Sequence, residues 1–206
     1  ILKIEESNKV YFYATNEQKN NIGLYKIDIN NTWEHLWEYN FDSNKSINYI
    51  DCQIGDITGD GRQNLIVVLY SYEEKQQIYV FNIDQNIPTP SPEIYSITSL
   101  HNSSEPIQTQ LISSDKDKDL EIIISFTSPE RKILVFDYAI NELINIDQIA
   151  TDFLSNTWGN IFFTAKDIDD DGLDDVAVYT NDDFNKRQIN YSDKTTDLIE
   201  FSNTSS

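Results

Sequence analysis

Apolar residues along this chain come in short runs rich in Val, Ile, Tyr and Phe, broken by clusters of Asp, Asn, Ser and Gly. Runs of four to eight such residues predict strands. "NLIVVLYS" at 64–71 and "LEIIISF" at 120–126 are nearly continuous. Continuous runs predict strands covered on both faces. "QIYVFNID" and "KILVFDY" alternate in part and predict half-exposed strands. The Pro-rich "QNIPTPSPE" at 85–93 predicts a surface loop. No stretch reads as a helix, and no linker divides the chain.

Between several of these runs the polar residues keep one spacing. In "DIDDDGLDD", residues 167–175, Asp167, Asp169, Asp171 and Asp175 fall at positions 1, 3, 5 and 9, with Gly172 at 6 and the carbonyl of Leu173 at 7. Alternating carboxylates can converge on one point if the chain curls, and glycine at 6 permits the sharp turn. Hard oxygen donors in this number suit Ca²⁺. Without a cation the same carboxylates repel one another. Residues 56–64 repeat the frame with Asp56, Thr58, Asp60 and Asn64 at 1, 3, 5 and 9, Gly61 at 6 and Arg62 at 7. Residues 113–121 repeat it with Ser113, Asp115, Asp117 and Glu121, with Asp119 at 7 and Lys118 in place of the glycine. The side-chain carboxylates, together with Lys118, rank 167–175 first as a metal site, 56–64 second and 113–121 last. The loops start at 56, 113 and 167, 57 and 54 residues apart, and such a period signals a repeat architecture. An EF-hand is excluded, because position 12 is Val67 or Val178 rather than an acid and the flanks read as strands.

The pattern D-x-[DN]-x-D-G-x-x-[DN]-[LIV] between two strands resembles the FG-GAP/VCBS repeat of integrin α-chain β-propellers and of many secreted or surface proteins. The match is full at 167–175, good at 56–64 apart from Thr58, and partial at 113–121. The resemblance implies an all-β propeller of four-stranded antiparallel blades, Ca²⁺ in the loops, an extracellular or cell-surface location, and an adhesion or structural role. With the loops between first and second strands, blades fall at about 1–42, 46–101, 106–150 and 158–202. In the first, "EESN" would be a short turn where the metal loop stands elsewhere. Family propellers usually have more than four blades, and one cysteine allows no disulfide clasp. The chain is therefore expected to be part of a larger propeller, completed by further sequence or other chains. A start at Ile1 and the lack of any methionine suit a processed or excised piece.

A formal charge of −20 disfavours nucleic acid and anionic membrane surfaces, which need Lys and Arg. No run is long enough to span a membrane. Cys52 reads as a small buried hydrophobe. Sequons at Asn30, Asn44, Asn102, Asn190 and Asn203 are compatible with N-glycans. His35 and His101 have no catalytic partner in sequence, and no nucleophile elbow, zinc-protease helix or phosphate loop occurs, so a non-enzyme is expected. Trp33, Trp37 and Trp158 raise sugar stacking as an alternative. On a regular strand Trp33 and Trp37 would share a face with His35, about 13 Å apart. That face either packs inward on a neighbouring blade or forms an exposed aromatic stripe. Two function classes follow: a calcium-stabilised surface module with a protein or glycan ligand, or a carbohydrate-binding propeller, as a lectin or the non-catalytic part of a polysaccharide-active enzyme.

Overall fold

The computed structural model describes residues 2–6, 9–16, 20–28, 30–42, 46–73, 75–97, 105–127, 131–139, 142–150, 153–154, 159–181 and 186–200, with 2–6, 9–10 and 200 by backbone alone. The chain is all-β. In order, the strands are β1 (Leu2–Glu6), β2 (Lys9–Thr15), β3 (Asn21–Asp28), β4 (Trp33–Asn40), β5 (Ile47–Gly55), β6 (Asn64–Ser71), β7 (Lys75–Asp84), β8 (Ile87–Pro88), β9 (Glu93–Ser96), β10 (Pro106–Ile112), β11 (Glu121–Phe126), β12 (Ile133–Ala139), β13 (Glu142–Ile149), β14 (Ile161–Lys166), β15 (Asp175–Thr180), β16 (Lys186–Asn190) and β17 (Thr196–Glu200). They form four antiparallel meanders in sequence order: β1-β2-β3-β4, β5-β6-β7-β9, β10-β11-β12-β13 and β14-β15-β16-β17. Each meander has the four-stranded antiparallel build of a β-propeller blade.

The chain divides into two compact units, residues 1–55 with 62–102, and residues 56–61 with 103–206. In the first unit, Tyr13, Leu24, Phe41, Leu65, Val67 and Phe81 build a buried core between the first two blades. In the second unit, Ile112, Ile123, Val135, Ile161, Phe163 and Val178 do the same between the last two. Burying each such side chain fully contributes about 1.5–3 kcal/mol. The continuous runs behave as their pattern predicts, since every residue of β6 and β11 is buried.

The third strands differ from expectation. Residues 76–81 of β7 are all buried, as are 133–136 of β12. Their polar positions are paired within the sheet or at its edge: the Tyr79 hydroxyl donates to Gln77 Oε1 at 3.1 Å. The 85–93 insert is not loop throughout, because β8 pairs back on the end of β7 through Ile83↔Pro88 and Asp84↔Ile87. In the first blade, Glu5 and Glu6 belong to β1, which pairs with β2 as far as Glu6↔Lys9. The turn is therefore shorter than "EESN", and residues 7–8 lie outside the described residues.

In the second unit a side chain completes the seam between blades. Gln108 donates through Nε2 to the Phe163 carbonyl at 2.9 Å and accepts the Phe163 N–H on Oε1 at 3.2 Å. Its amide pairs with β14 as a strand backbone would. Gln108→Leu should leave both Phe163 groups unpaired and lower stability by about 1–3 kcal/mol in urea denaturation. Unchanged stability would show that these two bonds contribute nothing net.

Cys52 sits half-buried in β5 opposite Val67, against the first-unit core. Burial, and then the charge of Asp51, push its thiol up to about 11 from 9.0. At pH 8 the thiolate fraction falls by about two orders of magnitude, so alkylation of Cys52 should run roughly 100-fold slower than that of a free thiol. Rapid labelling of the folded protein would contradict this placement.

Candidate metal centres

Each acidic loop joins the first strand of a blade to the second. In 167–175, carboxylate oxygens of Asp167, Asp169 and Asp175 all lie within 4.8 Å of one another. Ligands on one Ca²⁺ at about 2.3–2.6 Å can stand up to roughly 5 Å apart across it, so this gathering fits one hard cation. Asp171 is turned elsewhere: its Oδ1 accepts the Leu173 N–H at 2.9 Å and its Oδ2 accepts the Ser192 hydroxyl at 3.0 Å. In 113–121, Asp115, Asp117 and Glu121 converge in the same way. In 56–64, the Asp56 carboxylate accepts N–H bonds from Thr58 at 3.3 Å and Gly61 at 2.7 Å. Asn64 is buried there, with its amide donating to Asn82 Oδ1 at 2.9 Å. Asp60 and Arg62 are exposed and Leu173 is half-buried.

One frame of backbone bonds runs through these loops. The N–H at position 6 donates to the carboxylate at position 1 in both glycine loops, Gly61 to Asp56 at 2.7 Å and Gly172 to Asp167 at 2.9 Å. Both glycines have positive φ, 83° and 92°, which L residues adopt at a cost. With Ser113 at position 1 and Lys118 at 6, the third loop has no such bond among the described residues. It keeps the rest of the frame. Asp117 N–H donates to Asp115 at 2.9 Å and Asp119 N–H to Asp117 at 3.2 Å, as Asp171 N–H does to Asp169 at 3.2 Å and Leu173 N–H to Asp171.

Position 9 is buried in every loop: Asn64 and Glu121 are 1% exposed and Asp175 is 0%. The acid there accepts the N–H of position 2, Ser114 to Glu121 at 2.7 Å and Ile168 to Asp175 at 2.8 Å. Asp175 takes a second bond, from the Ser192 N–H at 2.9 Å. Glu121 takes none on its other oxygen, so Oε1 is buried without a partner beside two more carboxylates. A cation would satisfy that oxygen. Burial raises the Glu121 pKa. Desolvation, then hydrogen bonds and charges from Asp119 and Asp115, hold Asp117 up to about 7. Asp169 is raised as well, by desolvation and by the charges of Asp171, Asp175 and Asp167.

Position 8, which the spacing argument leaves unassigned, ties loop to loop. The Leu120 N–H donates to the Asp56 carbonyl at 2.9 Å, and the Asp174 N–H donates to the Ser113 carbonyl at 2.7 Å. Both bonds run from position 8 of one loop to position 1 of the preceding one. Asp174 closes a ring by accepting the Ser113 N–H on Oδ2 at 2.9 Å. The only sequence signal for this was the constant frame itself, since a repeat stacks each unit on its neighbour.

The tryptophan face does not form as either expectation has it. A β-bulge falls between the pairs Leu24↔Trp37 and Tyr25↔His35, leaving Leu36 as the extra residue. An extra residue reverses the alternation, so Trp33 and Trp37 point to opposite faces. Trp37 meets Phe81 of the first-unit core edge-on at 5.3 Å. Trp33 is 62% exposed and meets Phe12 edge-on at 5.2 Å, while His35 stacks on Tyr25 at 4.9 Å. Trp158, His101, Asn44, Asn102 and Asn203 lie outside the described residues. Asn30 is exposed, and Asn190 is half-buried with its amide donating to the Val176 carbonyl at 3.1 Å.

No family model and no curated protein sequence matches the chain. Among solved structures it is similar to the WD40 domain of SCAP from fission yeast, with 14% identity and a TM-score of 0.45 over 91% of this chain and 40% of that one. It is also similar to the complex of the fission yeast SREBP-SCAP binding domains, with 15% identity and a TM-score of 0.43 over 93% of this chain and 48% of that one. The chain thus spans less than half the length of these two structures.

The two kinds of acid in the loop should separate by mutation in cation-free protein. Asp175→Ala strips the acceptor from two N–H groups and should cost about 2–3 kcal/mol in urea denaturation. Asp169→Ala leaves Asp171 N–H with Asp167 as acceptor and removes a repelling charge, so its effect should be within about 0.5 kcal/mol or stabilising. Equal losses from both would contradict the assignment of position 9 as the anchor.

Proposed function

We propose that this chain is a calcium-stabilised β-propeller that serves as an adhesion or structural module at an extracellular or cell surface, acting by binding a protein or glycan rather than by catalysis. The observation that carries this reading is the buried, unpartnered Glu121 Oε1 gathered with Asp115 and Asp117, in a frame repeated by Asp167, Asp169 and Asp175. Acids placed this way serve as cation ligands first. When bound, Ca²⁺ supplies charge neutralisation. The residues themselves hold the turn through positions 1, 2, 6 and 9, and two bound ions would lower a formal charge of −20 where carboxylates are densest. An extracellular setting supplies Ca²⁺ at the concentrations that weak loops of this kind require, on the order of 10⁻⁴ to 10⁻³ M. The exposed Asn30 sequon suits the same setting. A carbohydrate-binding propeller is the second reading, favoured by a cavity in the second unit.

Thermal unfolding with and without Ca²⁺ tests the first reading. At about 10 mM Ca²⁺ and a dissociation constant near 10⁻⁴ M, one site adds about 2.7 kcal/mol. For a chain of this size that raises Tm by roughly 5–10 °C. A chelator should reverse the shift, and Mg²⁺ should reproduce it poorly because it prefers tighter octahedral sites that keep their water. A Tm that ignores both Ca²⁺ and chelator would refute the calcium role.

A further inference from the structure

Within the second unit, the β10–β13 and β14–β17 blades part to leave a cavity of about 370 Å³. This lies in the range of ligand pockets, about 300–1,000 Å³, at its lower end. We propose that this cavity is a binding site for a neutral saccharide unit, with apolar surface from Ile146 and Ile149 and a polar wall of Gln188 and Asn190.

The chemistry of the lining selects that class. Among the apolar lining, Ile146 is 44% exposed and Ile149 is half-buried, and these offer a surface suited to the C–H face of a sugar ring. Gln188 Nε2 donates to Asn190 Oδ1 at 2.7 Å, and Asn190 Nδ2 donates to the Val176 carbonyl at 3.1 Å. These bonds fix both amides. They leave Gln188 Oε1 as an acceptor and a second N–H on each amide as donors. Sugar hydroxyls both donate and accept, so they match such a mixed wall. Tyr191 adds a ring to the same cavity, with its hydroxyl donating to Asp197 at 3.2 Å. The charges present are already used. Lys194 of one blade pairs with Asp147 of the other at 2.5 Å, and Asp174 accepts the Ser113 N–H. An anion would meet two carboxylates and no uncommitted cation. A long peptide or lipid chain exceeds the volume.

The wall is also held rigid. Ser192, at its edge, donates its N–H to Asp175 at 2.9 Å and its hydroxyl to Asp171 at 3.0 Å, which bolts the β16–β17 turn to the acidic loop. A binding wall fixed before the ligand arrives loses less entropy on binding. The proposal goes beyond the calcium reading and does not rest on it. Saccharide binding and the calcium-dependent Tm are separate measurements, and either can fail alone.

The test titrates the whole chain, in Ca²⁺, with methyl glycosides of glucose, galactose, mannose and N-acetylglucosamine, followed by ¹H–¹⁵N NMR. At least one should shift the side-chain amides of Gln188 and Asn190 with a dissociation constant of about 1 mM, typical of few contacts. Gln188→Ala should weaken it about tenfold, and Thr196→Trp, at an exposed position lining the cavity, should abolish it by filling the space. Unchanged Tm in each variant shows that it folds. Three results would overturn the proposal: no shift with any glycoside, binding that survives Thr196→Trp, or shifts at the same amides with inorganic phosphate but not with sugars.

Discussion

The structure turns on a buried hydrogen-bonding residue at the ninth position of each acidic loop. Asn64, Glu121 and Asp175 begin the second strand of their blades, each buried and each followed by a buried apolar residue, Leu65, Ile122 or Val176. A polar group there is tolerated only when it is bonded. Glu121 and Asp175 achieve this by capturing the N–H of position 2, and Asn64 by bonding Asn82 across to β7. In the two acid cases this bond folds the loop back on its own strand. The acids at positions 1 and 3 or 3 and 5 are then carried toward position 9. The convergence of the carboxylates thus follows from satisfying one buried acid with backbone N–H bonds.

The same bonds carry order from blade to blade within the second unit. Position 8 follows the curl, and its N–H reaches the position-1 carbonyl of the loop before it. Gln108 does comparable work deeper in the seam, where its amide stands in for a strand. Repeat proteins owe their stability to such nearest-neighbour terms as well as to each unit's own core. Here the apolar seam and the polar links act on the same pair of sheets. The same two blades part beside the loops to leave the cavity lined by Ser114, Asp174 and Gln188.

Much of this was legible in the chain. Runs such as 64–71 and 121–126 specify central strands because no face of them can be left to water. The acidic frame marks the first hairpin of three blades because its spacing survives substitution: Lys118 removes one bond, yet positions 2, 3, 5, 7 and 9 keep theirs. The convergence of Asp167, Asp169 and Asp175 was legible for the same reason. The exclusion of Asp171 was not, because its partner Ser192 lies 21 residues on, in a turn that no local rule brings to it.

What the sequence alone determined is therefore what depends on local chemistry: strand or turn, the period of the repeat, the residue types able to hold a hard cation. Tertiary structure decided whatever depends on register and distance. One extra residue, Leu36, turns Trp37 against the core and leaves Trp33 mostly in solvent, and nothing in "WEHLWEY" marks the bulge. Third strands that alternate in part are nonetheless buried over 76–81 and 133–136, because packing against a neighbouring sheet and pairing within the strand cover polar positions too. The cavity exists only where two blades diverge, so its lining comes from residues that are distant in the chain and share no motif. Local pattern fixes which groups the chain owns, and packing fixes which of them meet.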